Sequence, residues 1–153
     1  MDPEEATAAL EQQRLDVRAV AKDLVEGSER ALSGRMATSS GQYRGCDSAF
    51  LDEFRNFRYL AQARVDAGPG STAPHLDALV GVLEAAGFSE PTLGERPGGS
   101  TLTADHDAIG VTISELPDQG DYVLLSVAGP CVDVPEDQRD EWLTKIDPEP
   151  AFD

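Results

Sequence analysis

The middle of the chain alternates without a break. Phe57, Tyr59, Ala61, Ala63 and Val65 share one parity, and Arg58, Leu60, Gln62 and Arg64 share the other. A period of two places the first set on one face of a β-strand and the second set on the opposite face. A strand with one dry and one wet face belongs to a sheet covered on one side, so amphipathic elements must supply the cover.

Two helices fit that role. Residues 4 to 32 place Leu10, Val17, Val20, Ala21, Leu24, Val25, Ala31 and Leu32 in one stripe at helical spacing, and Leu15 lies off it. Pro3, Glu4 and Glu5 suit the first turn and Gly34 reads as the stop. Pro74 to Ala86 gives the second helix, with Leu76, Leu79, Val80 and Leu83 inward, Gly87 at the C-cap and Phe88 packing back.

Between them Met36 to Ser40 reads as a polar loop and Gln42 to Cys46 as a short strand. Phe50, Phe54 and Phe57 allow an alternative helical turn before the alternating strand. Ala67 to Ser71 breaks the chain. Gly94 to Ser100 is expected to be a loop and Thr101 to Ala104 a strand. Asp105-His106-Asp107 reads as a turn. Ile109, Val111 and Ile113 form the inward side of the next strand, Pro117 to Gly120 turns again, and Tyr122 to Ala128 is the most apolar strand, expected at the sheet's centre.

The predicted order is α-β-β-α-β-β-β. The fold class is α+β, a two-layer sandwich of a mostly antiparallel sheet with two helices on one face. Residues 1–132 are expected to form a single domain. Residues 133–153 read as an acidic, Pro-rich tail, partly docked, with a short helix over Glu136 to Ile146 that sets down Trp142, Leu143 and Ile146. The last few residues are expected to be loose.

Charge narrows the function. With 29 acidic against 12 basic residues the formal net charge is −17. Such a field repels phosphate backbones and anionic lipid headgroups, so binding of nucleic acid is not expected. The longest apolar run, Tyr122 to Val127, is too short to span a bilayer. Met1 leads directly into Asp2-Pro3-Glu4-Glu5, without a basic segment followed by an apolar one, and so does not read as a secretory leader.

Catalytic patterns fall short. Asp105-x-Asp107-x-x-Gly110 opens like a calcium loop, but Ile109 and Leu116 stand where oxygen ligands belong, and no metal site is expected. Gly68-Pro69-Gly70-Ser71-Thr72 lacks the Gly-Lys-Ser/Thr ending of a phosphate loop. The only histidines, His75 and His106, have no G-x-S-x-G serine to serve. Asp133 and Glu136 beside Cys131 read as solvated acids. No catalytic residue, enzyme activity or cofactor is expected. Tyr43, Tyr59 and Tyr122 are the candidate ligand-binding residues, as strand aromatics that could anchor a contact.

Cys46 follows Gly45, and Cys131 follows Gly129-Pro130; an even count beside turn-formers suggests one disulfide, and with it an oxidising compartment. Two reduced buried thiols in the cytosol are the alternative. Tyr43-Arg44-Gly45-Cys46 is not a lipobox, because no hydrophobic segment precedes it.

One further pattern joins these pieces. Leu79 to Phe88 reads LVGVLEAAGF, followed by Thr101-Leu102-Thr103-Ala104, Gly110-Val111-Thr112-Ile113, Tyr122 to Val127 and Gly129-Pro130-Cys131-Val132, with Gly45-Cys46 earlier. This resembles the small cell-envelope lipoproteins of actinobacteria over about residues 5 to 132. The preference for arginine over lysine, ten to two, suits a high-GC genome. The resemblance implies an extracytoplasmic, non-enzymatic lipoprotein domain, held to the cell membrane by a lipid anchor on a segment outside this sequence. It would act as an interaction module for a protein or small ligand at the envelope. It carries no catalytic residues to transfer. The alternative function is an intracellular acidic regulator that binds a basic protein surface.

Overall fold

A computed structural model describes residues 2–46, 56–70, 74–145 and 147–152; of Arg96 and Asp118 it describes the backbone only. Helix α1 spans Pro3–Leu32. Asp2 caps it, its carboxylate accepting the Glu5 N–H at 2.8 Å. At the far end Ser33, rather than a glycine, takes the left-handed conformation, at φ +48°. Leu10, Val17, Ala21, Leu24, Val25 and Leu32 are buried as expected, Val20 half-buried, Ala31 exposed, and Leu15 57% exposed. The buried stripe also contains Gln13, Gly27 and Ser28.

Strands β1 (Arg35–Gly45) and β2 (Asn56–Asp66) pair antiparallel, with an irregularity between Met36 and Thr38. Met36 to Ser40 is therefore strand, not loop. Helix α2 (Leu76–Ala85) buries Leu76, Leu79 and Leu83. Gly87, at φ +96°, lets the Phe88 N–H turn back to the Leu83 carbonyl at 3.0 Å and seats Phe88 in the core.

Next come β3 (Thr92–Arg96), β4 (Gly99–His106), β5 (Ile109–Glu115) and β6 (Tyr122–Ala128), a four-strand meander. The expected loop from Gly94 to Ser100 is thus a hairpin, turned at Pro97-Gly98 where Gly98 has φ +84°. The next turn sits at Asp107 and Ala108, both at positive φ, so Asp105 and His106 belong to β4. After β6, the short β7 (Val132–Asp133) returns to pair with the start of β2. Helix α3 (Arg139–Leu143) follows and buries Trp142; Phe50, Phe54 and Ile146 lie outside the described residues.

Among the described residues the sheet has 7 strands in the order β1-β2-β6-β5-β4-β3, with β7 beside β2. All pairings are antiparallel. The α+β sandwich holds, enlarged by β3 and β7, and α3 falls within the short helix expected over Glu136 to Ile146. Strand β6 lies between β2 and β5 with Val123, Leu125 and Val127 buried. The helices cover the face made by Tyr59, Ala61, Val65, Leu102, Val111, Ile113 and these three residues. Gly27 lets α1 approach α2 closely: a Cβ there would stand 2.7 Å from a Val82 methyl.

Residues 149–151 are not loose. Glu149 exchanges two backbone hydrogen bonds with Gly41, on the outer edge of β1, at 2.6 and 2.8 Å, and Ala151 is fully buried.

Candidate functional site

Among the described residues neither α1 nor α2 covers the opposite sheet face, although Leu60 and Arg58 Nε on it are buried, and its register lines up side chains of one kind. Ser40 pairs Gln62, Gln62 pairs Ser126, Ser126 pairs Thr112, Thr112 pairs Thr103, and Thr103 pairs Thr92. One row of hydroxyl and amide groups therefore crosses the sheet from β1 to β3, stepping about 4.8 Å per strand. The neighbouring row runs Thr38, Arg64, Leu124, Ser114, Thr101. Between these rows, over β1, β2, β6 and β5, lies a shallow concavity of about 420 Å³.

Guanidinium groups flank the rows. Arg64 lies 4.0 Å over the Tyr122 ring and 2.8 Å from Asp66. Arg44 and Arg58 stand directly opposite each other on β1 and β2. Like charges in that position repel unless an anion is shared. Arg58 Nε is buried and meets no hydrogen-bond partner among the described residues. The acids of this face, Asp66, Asp105 and Asp133, sit at strand ends.

Both histidines have structural work. His75 precedes α2 and is buried with Glu115, whose carboxylate oxygens accept the His75 N–H at 2.9 and 3.1 Å. That places a negative charge at the N-terminus of α2, where the dipole favours it. His106 packs its ring against Phe88, centroids 5.7 Å apart. The Gly68-to-Thr72 loop lies partly outside the described residues.

The three nominated tyrosines separate. Tyr43 and Tyr59 face each other across β1 and β2 on the helix side, ring centroids 5.1 Å apart, and Tyr43 meets Trp142 at 5.1 Å. Tyr59 is only 1% exposed and packs within the core. Burial pushes its hydroxyl up to about 12, helped by the hydrogen bond to Glu149. Tyr43 is half-buried and donates to the Leu10 carbonyl at 3.1 Å. Tyr122 is on the open face with Arg64.

Arg14, Arg18 and Glu149 gather around Tyr59, and the sequence reading passed over all three. Arg14 holds the Glu149 carboxylate through Nε at 2.7 Å and Nη2 at 2.9 Å, Arg18 approaches at 3.1 Å, and the Tyr59 hydroxyl donates at 2.6 Å. The Arg14 hydrogen bonds, with those from Tyr59 and the field of Arg18, hold the Glu149 carboxyl at about 2. One signal was available: Arg14 and Arg18 are four apart on one helix face, and Glu149 is the only acid set between two prolines.

Cys46 and Cys131 form the expected disulfide. It lies across the start of β2, joining the end of β1 to the link between β6 and β7. Among the described residues no helix is long and apolar enough to cross a membrane.

The chain matches no known protein family and no curated protein. Among solved structures it is similar to the "putative lipoprotein LppA from Mycobacterium tuberculosis", with 12% identity and a TM-score of 0.48 over 84% of this chain and 78% of that one.

Proposed function

We propose that the chain is a non-enzymatic binding module that works outside the cytoplasm, as a lipid-anchored domain at the cell envelope, and that the open sheet face grips an extended acidic polysaccharide. The observation that carries this is the row from Ser40 to Thr92 with arginines beside it. A regular ladder of donors and acceptors suits a repeating, hydroxyl-bearing chain. The face also carries Asp66, Asp105 and Asp133 at its strand ends, so it is the adjacent pair Arg44 and Arg58, with Arg64 beside them, that favours carboxylates on that chain. The disulfide supports the compartment, since such bonds persist where the surroundings oxidise.

The test uses the full chain and a polyuronate, with neutral dextran as control, followed by amide NMR. Polyuronate should shift amides of β1, β2, β5 and β6 at the open-face positions, and dextran should not. Arg64→Glu should weaken the polyuronate effect about tenfold or more, the loss of one charge-assisted contact turned into repulsion. Absent shifts, or shifts confined to the helices, would sink the reading.

A further inference from the structure

On the other side of the sheet, against the outer edge of β1, the chain holds a piece of itself as a protein holds a peptide. Residues 148 to 151 run antiparallel to β1 through the Gly41–Glu149 pair. Ala151 donates its N–H to Ser39 Oγ at 3.2 Å, and Arg18 Nη1 donates to the Pro150 carbonyl at 2.7 Å. The Glu149 carboxylate sits in a fork made by Arg14, Arg18 and Tyr59, drawn from α1 and β2. Gly41 is part of the design: a Cβ there would collide with the Tyr59 hydroxyl and close the route to Glu149.

These are the marks of strand-addition recognition. Backbone bonds give affinity, and a pocket for one side chain gives selectivity. Pro148 and Pro150 pre-set an extended segment and reduce the cost of ordering it. The carboxylate and its main partner remain about one-third exposed, Arg14 at 34% and Glu149 at 35%, so the contact can exchange with solvent. Beside it the cleft continues into a space of about 380 Å³ lined by Glu11, Leu15, Tyr43, Trp142 and Lys145.

We propose that this cleft is a peptide-binding site for extended acidic segments of the Pro-Glu-Pro type, and that residues 148–152 fill it as an intramolecular ligand. The attached segment competes at an effective concentration of the order of millimolar, so an outside peptide enters when that segment is displaced. The site is separate from the open face, so either can fail alone.

The experiment takes the full chain with Glu149→Ala and Ala151→Asp, which removes the carboxylate and expels the buried methyl. A fluorescent peptide with the sequence of residues 147–153 is then titrated. It should bind this variant, and bind the unaltered chain about tenfold more weakly or worse, because its own segment competes. A peptide with Gln in place of Glu149 should lose about tenfold or more, as should a chain that also carries Arg14→Ala and Arg18→Ala. A second measurement covers a variant that fails to fold. In the unaltered, isotope-labelled chain, several-fold excess over about 5 mM unlabelled peptide should move the Glu149 and Ala151 amides to free-chain positions. Binding that ignores the Gln change overturns the proposal. So does a peptide that leaves those amides in place.

Discussion

At the scale of single residues, Glu149 shows how much one carboxylate can organise. Its donors come from α1 and β2 and its backbone from the edge of β1. Folding lowers its pKa from 4.5 to about 2, so the stabilisation is fully present above about 4.5 and fades as pH falls through about 2. Glu149→Gln should therefore lower stability at neutral pH by about 1–2 kcal/mol, a figure discounted because solvent reaches the pair. The gap between the two melting curves should stay constant from about pH 5 upward and shrink steadily below about pH 4. A gap unchanged at pH 2.5 would mean the charge contributes nothing. Little of this was legible in the sequence beyond the spacing of Arg14 and Arg18 and the Pro-Glu-Pro setting of Glu149. Arg14 and Glu149 lie far apart in the chain, and acids are so common here that nothing but its two prolines marks Glu149 out. The cysteines were legible because there are only two of them. Strand parity put Tyr59 on one face with Phe57, Ala61 and Val65, all buried, but could not show that Glu149 would come to meet its hydroxyl.

At the scale of elements, the sequence showed those whose apolar residues keep a period. Helix α1, β2, β5 and β6 appear where they were expected, whereas β1 was expected only from Gln42 onward and β3 was expected to be loop. Both are edge strands. Strand β1 puts Ser39 and Gly41 where β2 puts Ala61 and Ala63, because Ser39 must bond Ala151 and Gly41 must clear Tyr59. Strand β3 leaves Leu93 48% exposed, so neither of its faces is marked by buried apolar residues. The central strand gives a direct check of this layering. Leu125→Ala should cost about 2–5 kcal/mol as a buried leucine, and Leu124→Ala, on a side chain 39% exposed, under about 1 kcal/mol. Chemical denaturation of the two variants measures both; equal losses would contradict the one-sided cover. A second check falls where α1 meets α2. In an exposed helix Gly→Ala stabilises by about 1 kcal/mol. Gly27→Ala should destabilise instead, by about 1–3 kcal/mol, because its methyl would press on Val82, a β-branched side chain with little rotamer freedom. Thermal melting decides the sign.

At the scale of the whole molecule, the disulfide and the strand order act together. The bond spans a sequence separation of 85 residues. On chain-entropy grounds it stabilises the fold by about 4–5 kcal/mol. Denatured, unreduced protein should show almost no free thiol, and reduction should lower the urea midpoint in keeping with that energy. The sheet is also built from two blocks. The hairpin β1-β2 and the meander β3 to β6 each join strands close in sequence, and the blocks meet along a single junction where Leu60 to Asp66 pair with Ala128 to Tyr122. That junction sets the folding clock. Each block can zip locally, but the meeting of β2 with β6 must wait for a long loop to close, and that entropy is spent before any contact repays it. Cys46 and Cys131 lie at one end of the same junction, so an oxidised chain begins its search with the partners already tethered and should refold faster than a reduced one.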